Sequence, residues 1–267
     1  QNDPNCGTKE PKVGPTIPFK PLAADKSGLG IVGGVEALPH EYPFAASIGK
    51  LHTLADNITL GYRSLCTASI IHPQFLLTAA HCSNVVENDM PRAVVAAHNI
   101  SAQAVGGNEA HKVMALIEKF IPHPSYEEIS HLTYDIALVK LTQPLDVSGN
   151  PDLGTICVPP QDTKINAYVG NLTTAVGWGD TNNSSESDEI LRKIVGMSVI
   201  PMSVCSQKFG GITYDEEDYL LCLYLEGSSI CIGDSGGPLM LKIENRWTVV
   251  GVTKFVYSGC PQKDWPQ

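Results

Sequence analysis

Apolar residues come in short runs along this chain, with turn-forming residues between them. Residues 45–48, 68–71, 75–78, 93–97, 112–117, 136–141, 173–176, 190–198, 238–243 and 247–255 are such runs, several of them β-branched. No long window carries a strong 3.6-residue periodicity, so these runs predict strands. Residues 113–120 fit a helical turn equally well by pattern. Many short strands and few helices predict an all-β sandwich or barrel. The Pro- and Gly-rich stretch at 144–160 reads as a joint between two halves. Residues 1–30 break the pattern. Pro4, Pro11, Pro15, Pro18 and Pro21 predict an extended segment outside any core, with Cys6 as its one evident anchor.

Composition adds compartment and excludes some partners. A chain of 267 residues, 43% hydrophobic and 17% charged, can bury one large core or two modest ones. No apolar run is long enough for a membrane helix. The formal charge of −10 argues against nucleic acid, whose phosphates need a basic face. No basic-then-apolar signal begins at Gln1, so any secretion signal is expected to have been removed or left out. The eight cysteines are Cys6, Cys66, Cys82, Cys157, Cys205, Cys222, Cys231 and Cys260. No two form a Cys-x-x-Cys pair, which argues against zinc and for an oxidised, secreted protein. Sequons at Asn57, Asn99, Asn171, Asn182 and Asn183 agree with an extracellular glycoprotein.

Three stretches carry candidate chemistry. Gly233-Asp234-Ser235-Gly236-Gly237-Pro238 flanks a serine with glycines, so its hydroxyl is unobstructed and nearby N–H groups can converge. By itself such a string is more often a plain turn. His81 follows the apolar run 75–78 and two alanines, leaving room for another group to approach. The other histidines (His40, His52, His72, His98, His111, His123 and His131) read as surface or satisfied core residues. Asp135 opens the run 136–141, and is either a solvated strand start or a buried acid that needs a strong partner. If the three meet, the acid orients the imidazole, the imidazole takes the serine proton, and the hydroxyl becomes a nucleophile.

His81, Asp135 and Ser235, in that order, lie within Thr78-Ala79-Ala80-His81-Cys82, Asp135-Ile136-Ala137-Leu138 and Gly233-Asp234-Ser235-Gly236-Gly237-Pro238, with Ile31-Val32-Gly33-Gly34 upstream. On these motifs residues 31–267 resemble the chymotrypsin/trypsin family of serine endopeptidases, whose triad order differs from that of unrelated folds. The family resemblance implies two antiparallel six-stranded β-barrels, about 31–150 and about 151–267, with the active site between them. It implies an oxyanion hole from the N–H groups of Gly233 and Ser235, and a tryptophan loop at Trp178. Disulfides Cys66–Cys82, Cys205–Cys222, Cys231–Cys260 and Cys6–Cys157 follow from the same likeness, the last tethering the leader 1–30. Cleavage between Gly30 and Ile31 would free an ammonium group to pair with Asp234 and shape the oxyanion loop.

The sequence also departs from the family pattern. Gly30 stands where Arg or Lys usually precedes the cut, so a trypsin-like activator is not expected. Ser229 at the pocket floor lacks the acid that selects Arg or Lys. Ile230 narrows the pocket and Val256, beside Phe255, obstructs a large ring. A chymotrypsin-like or elastase-like preference for an apolar residue is therefore expected, and 252–256 resembles arthropod enzymes of this type. Lys254 replaces a serine that bonds the catalytic aspartate: its amine either approaches Asp135 or points to solvent. The loop 99–109 resembles the trypsin calcium loop but has Ala97 and Gly106 in place of acids, leaving Glu109, so no metal and no cofactor are expected. The last strand and C-terminal helix of the family would lie beyond Gln267, which predicts an incomplete second barrel. The expected protein is a secreted, monomeric zymogen acting on proteins or peptides, with an activating protease and protein inhibitors as partners and no membrane. The alternative is a catalytically silent homologue that binds rather than cuts.

Overall fold

The computed structural model describes residues 2–9, 33–53, 60–86, 91–101, 106–126, 134–161, 163–180, 189–209 and 220–254. Strands dominate. The first half holds β2 (Ala45–Thr53), β3 (Leu60–His72), β4 (Phe75–Thr78), β5 (Pro91–Val95), β6 (Val113–Pro122) and β7 (Ala137–Leu141), with a short helix α1 (Cys82–Val86) after β4. These six antiparallel strands close into a barrel in the order β2-β3-β4-β7-β6-β5. The second half holds β8 (Leu172–Gly177), β9 (Arg192–Ile200), helix α2 (Met202–Phe209), β10 (Cys222–Tyr224), β11 (Pro238–Ile243) and β12 (Arg246–Val252). Its sheet runs β9-β8-β11-β12, with β10 paired to β9 and the first strand of the chain, β1 (Val35–Glu36), added beside β9.

Alternation explains why the barrel closes. In β7 Ala137, Val139 and Leu141 face inward while Leu138 and Lys140 are half-exposed. Phe44, Ile48, Ile70 and Leu76 fill the same interior. Burying each large side chain contributes about 1.5–3 kcal/mol. A second cluster of Ala175, Ile194, Met197, Val199 and Leu239 packs beneath the second sheet. The stretch 113–120, ambiguous by pattern, is a strand because β5 and β7 offer it a ladder on each side. The start of β3 is polar and was not predicted; it is extended because it pairs residue by residue with the end of β2 across a bulge at Ile48/Gly49.

The leader is docked by more than its disulfide. Cys6 is bonded to Cys157, as the family likeness implied, and Cys66–Cys82 and Cys205–Cys222 are formed as well. Cys231 is also disulfide-bonded. Cys260, its expected partner, lies outside the described residues. Gly7 donates to Thr155 O and accepts from Trp247 N, inserting the leader between two backbone segments. Arg246 donates to the carbonyls of Asp3, Pro4 and Cys6, and the Lys9 ammonium to those of Val147, Asn150 and Leu153. Gly7 has φ +64°, and a Cβ there would lie 2.3 Å from Trp247 O. Gly7→Ala should therefore lower stability by about 1–3 kcal/mol, measured by urea denaturation.

Candidate active site

His81 sits one turn past β4, at the mouth of the barrel, where the disulfide Cys66–Cys82 ties its loop back to β3. The two sulfurs nearest the ring are thus bonded to each other and offer no thiolate to a metal. Asp135 precedes β7, the barrel neighbour of β4, so strand pairing delivers the acid to the histidine. Thr78 pairs with Ala137 in that ladder, which leaves both loops leaving the barrel at the same end. Tyr134 adopts φ +56° and stacks on His123 at 4.7 Å, and Ile136 N bonds back to Tyr134 O at 2.7 Å. This tight turn aims the Asp135 carboxylate inward.

The carboxylate takes two hydrogen bonds from one residue. His81 N donates to Oδ1 at 2.9 Å, and Oδ2 lies 2.8 Å from His81 Nδ1. The Asp135 side chain is 3% exposed and that of His81 26%, so the acid is covered while the ring keeps an open edge. Burial pushes the Asp135 carboxyl up. The hydrogen bonds and charge of His81, with a smaller pull from the Lys254 ammonium, outweigh it and hold the group below its ordinary value.

Ser235 arrives from the other half of the molecule. Its carbonyl accepts from Thr67 N at 2.8 Å and lies 3.8 Å from Cys82 Sγ, immediately beside His81 in sequence. Its hydroxyl donates to Lys254 O at 3.4 Å. Among the described residues, the amides of Gly233 and Ser235 have no protein acceptor. Gly233 has φ +96° and Gly236 φ +82°, and a Cβ on Gly236 would lie 2.0 Å from Thr78 Oγ1. The glycines of this loop are therefore required by its shape and by the closeness of the first barrel.

The Asp234 carboxylate points away from solvent into the seam. Oδ1 accepts from Gly179 N at 2.9 Å and Oδ2 from Cys231 N at 2.8 Å. A Cβ at Gly177 or Gly179 would collide with it, at 2.1 and 2.5 Å respectively. Trp178, between them, is fully buried and donates to His98 O. Gly33, just past Ile31, rests on the neighbouring loop: its carbonyl accepts from Ser228 Oγ at 3.4 Å, and a Cβ there would lie 2.2 Å from Gly227 O.

The remaining predicted residues fall as follows. Ser229 is buried and donates to Ile230 O, and Ile230 packs in the second hydrophobic cluster. Glu109 accepts from the amides of His98 and Asn99, while the Lys112 ammonium donates to the carbonyls of Asn99 and Ser101. Asn99 and Asn171 are described, the latter exposed and bonded to Ala167 O and Tyr168 O. Gly30, Ile31, Phe255, Val256, Asn57, Asn182 and Asn183 lie outside the described residues. His98 bonds Glu36, His111 bonds Asp152, and His40 bonds Asn108 O, so these histidines have partners away from Ser235. The sequence reading missed Thr67, whose only signal is a polar residue inside an apolar run beside a cysteine. Its hydroxyl donates to Gly233 O at 3.0 Å.

The depressed Asp135 carboxyl sets a pH window. The stability it contributes is present above the unfolded carboxyl value of about 3.9 and is lost as pH falls through the lower folded value. Asp135→Asn should therefore show a smaller loss of stability than the unsubstituted protein between about pH 5 and pH 2, measured by urea denaturation.

Known proteins give this arrangement a family. The Trypsin family model matches residues 31–267. The chain is 31% identical to tryptase of Mus musculus over 246 residues, covering 89% of this chain and 82% of the tryptase. It is 30% identical to Trypsin 5G1 of Aedes aegypti over 260 residues, covering 95% and 85%. It is also 28% identical to Melanization protease 1 of Drosophila melanogaster over 267 residues, covering 94% of this chain and 64% of that protein. A closed barrel, a second sheet, a histidine–aspartate pair and a glycine-framed serine thus coincide with a match over the same residues, and the chain belongs to the trypsin family of serine proteases.

Proposed function

We propose that the protein is a secreted endopeptidase, made as a zymogen, that cleaves peptide bonds through an acyl-enzyme on Ser235. The observation that carries this is the two-point hold of Asp135 on His81, beside the loop bearing Ser235. His81 Nε2 takes the proton of Ser235 Oγ as that oxygen attacks the substrate carbonyl. The amides of Gly233 and Ser235 receive the oxyanion. His81 then gives the proton to the leaving amine, the C–N bond breaks, and water repeats the sequence on the ester. In the reacting complex the Ser235 hydroxyl would exchange its bond to Lys254 O for one to the imidazole. Apo geometry at such sites is commonly looser than the reacting complex.

Residues 1–30 act as a leader and 31–267 as the catalytic part, its halves meeting near residue 150. Cutting between Gly30 and Ile31 would release an amino group to pair with Asp234. The docking of Gly33 on Ser228 and the orientation of the Asp234 carboxylate into the seam support this. The Cys6–Cys157 bond would keep the cut leader attached. The activator is a protease that accepts Leu29-Gly30, and protein inhibitors of such enzymes are further partners of a monomeric enzyme. The uncharged pocket floor at Ser229 favours an apolar side chain before the cut bond.

One observation favours a second reading, a silent homologue that binds without cutting: the Ser235 hydroxyl bonds Lys254 O. Fluorophosphonate labelling separates the two. After activation, with N-terminal sequencing confirming Ile31 as the new terminus, the protein should label and Ser235→Ala should not. Labelling that survives the substitution, or none in the activated parent, removes the enzyme assignment. Among chromogenic peptides, kcat/KM should be at least about tenfold higher for an apolar than for a basic residue before the cut.

A further inference from the structure

We propose that Thr67 is a positioning residue for the oxyanion loop, its hydroxyl setting the orientation of the Gly233–Asp234 peptide. This rests on the reading of Ser235 as nucleophile and extends it to a side chain from the opposite half of the molecule. Thr67 lies in β3 and is fully buried. Its N–H donates to Ser235 O at 2.8 Å and its Oγ1 to Gly233 O at 3.0 Å. One residue of the first barrel therefore grips both ends of the segment that supplies the oxyanion donors.

The two bonds differ in what they demand of the sequence. Any residue but proline offers the N–H. The second needs a side-chain donor, here the Thr67 hydroxyl. The Gly233–Asp234 peptide is a rigid plane, held at its N–H by Cys231 O at 3.0 Å and at its C=O by Thr67. Without the hydroxyl the carbonyl is a buried acceptor with no partner, and the plane gains by pivoting. Gly233 permits that pivot because glycine enters its φ of +96° and the neighbouring regions freely. The rotation is taken up at the Gly233 dihedrals; the Gly233 N–H, the first oxyanion donor, lies in the preceding peptide plane and loses its aim as that plane readjusts about the same Cα. Thr78 steadies the clamp: its Oγ1 donates to Thr67 O at 2.9 Å, from the end of the strand that leads into His81. The loop carrying the base and the loop carrying the nucleophile are thereby referred to one point.

Thr67→Val keeps the shape and removes the hydroxyl; Thr67→Ser keeps the hydroxyl. In activated protein with titrated active sites, Thr67→Val should lower kcat about tenfold, less than the loss of an oxyanion donor itself, with KM nearly unchanged. Affinity for a peptide boronate, which mimics the tetrahedral intermediate, should fall in step with kcat/KM. Amide hydrogen exchange at residues 231–237, Asp234 N–H above all, should quicken in Thr67→Val. Thr67→Ser should restore all three. Unchanged kcat per titrated site and unchanged exchange in Thr67→Val overturn the proposal, as does an equal loss in both variants or a loss confined to thermal stability. If the activated parent takes no fluorophosphonate label, the enzyme reading fails. Exchange then decides the clamp alone: faster in Val and not in Ser supports it, and equal rates overturn it.

Discussion

A carboxylate withdrawn from water must be met by hydrogen-bond donors, and the seam of this protein holds two of them. Asp135 is satisfied by the backbone and ring of His81. Asp234 is satisfied by the amides of Gly179 and Cys231. Each solution determines the position of something else. Satisfying Asp135 fixes the imidazole plane and presents the opposite ring edge to the open side. Satisfying Asp234 draws in the loop on either side of it, and among the described residues the amides of Gly233 and Ser235 are left uncommitted. The site is in this sense a by-product of burying two negative charges well.

The donors are delivered by ordinary strand pairing. The β4–β7 ladder brings Thr78 opposite Ala137, and the loops that follow and precede those positions carry His81 and Asp135. The second half reaches the same place through Gly236 N on Thr253 O and Thr253 N on Gly237 O, which align the Ser235 loop with the segment that follows β12. Glycine appears where a Cβ has no room, at Gly177, Gly179 and Gly236. The disulfide Cys66–Cys82 holds the histidine loop from behind. None of these parts is chemical in itself, yet a shift in any of them moves a reacting group.

Residues 2–9 are held as part of the fold. Arg246 and Lys9 each gather backbone carbonyls from segments distant in sequence, and Gly7 threads between Thr155 and Trp247. Cationic side chains that cap several carbonyls replace the water those groups would otherwise hold. Residues 2–9 are thereby bonded to the rest of the protein while contributing no strand.

Much of this was legible along the chain. Short apolar runs with turn residues between them predicted strands, among them 136–141, where Ala137, Val139 and Leu141 face inward. Motif order brought His81, Asp135 and Ser235 together on paper, because a nucleophile, a base and an orienting acid are recognisable by type and by neighbours. Local pattern could not reveal the polar start of β3, which is extended only because β2 lies beside it, nor the strand at 113–120, where helix and strand fit equally until β5 and β7 supply partners. Nor could it reveal β1, where Val35 and Glu36 pair with Lys193 and Arg192 of the second sheet. The hydroxyl of Thr67 and the amide of Gly179 matter for the same reason: a bond between residues 55 positions apart is decided by how the second half folds, and one between residues 166 apart by how the two halves meet. Residue types and their local order are properties of the chain, whereas partners across a seam exist only once both halves have folded and closed on each other.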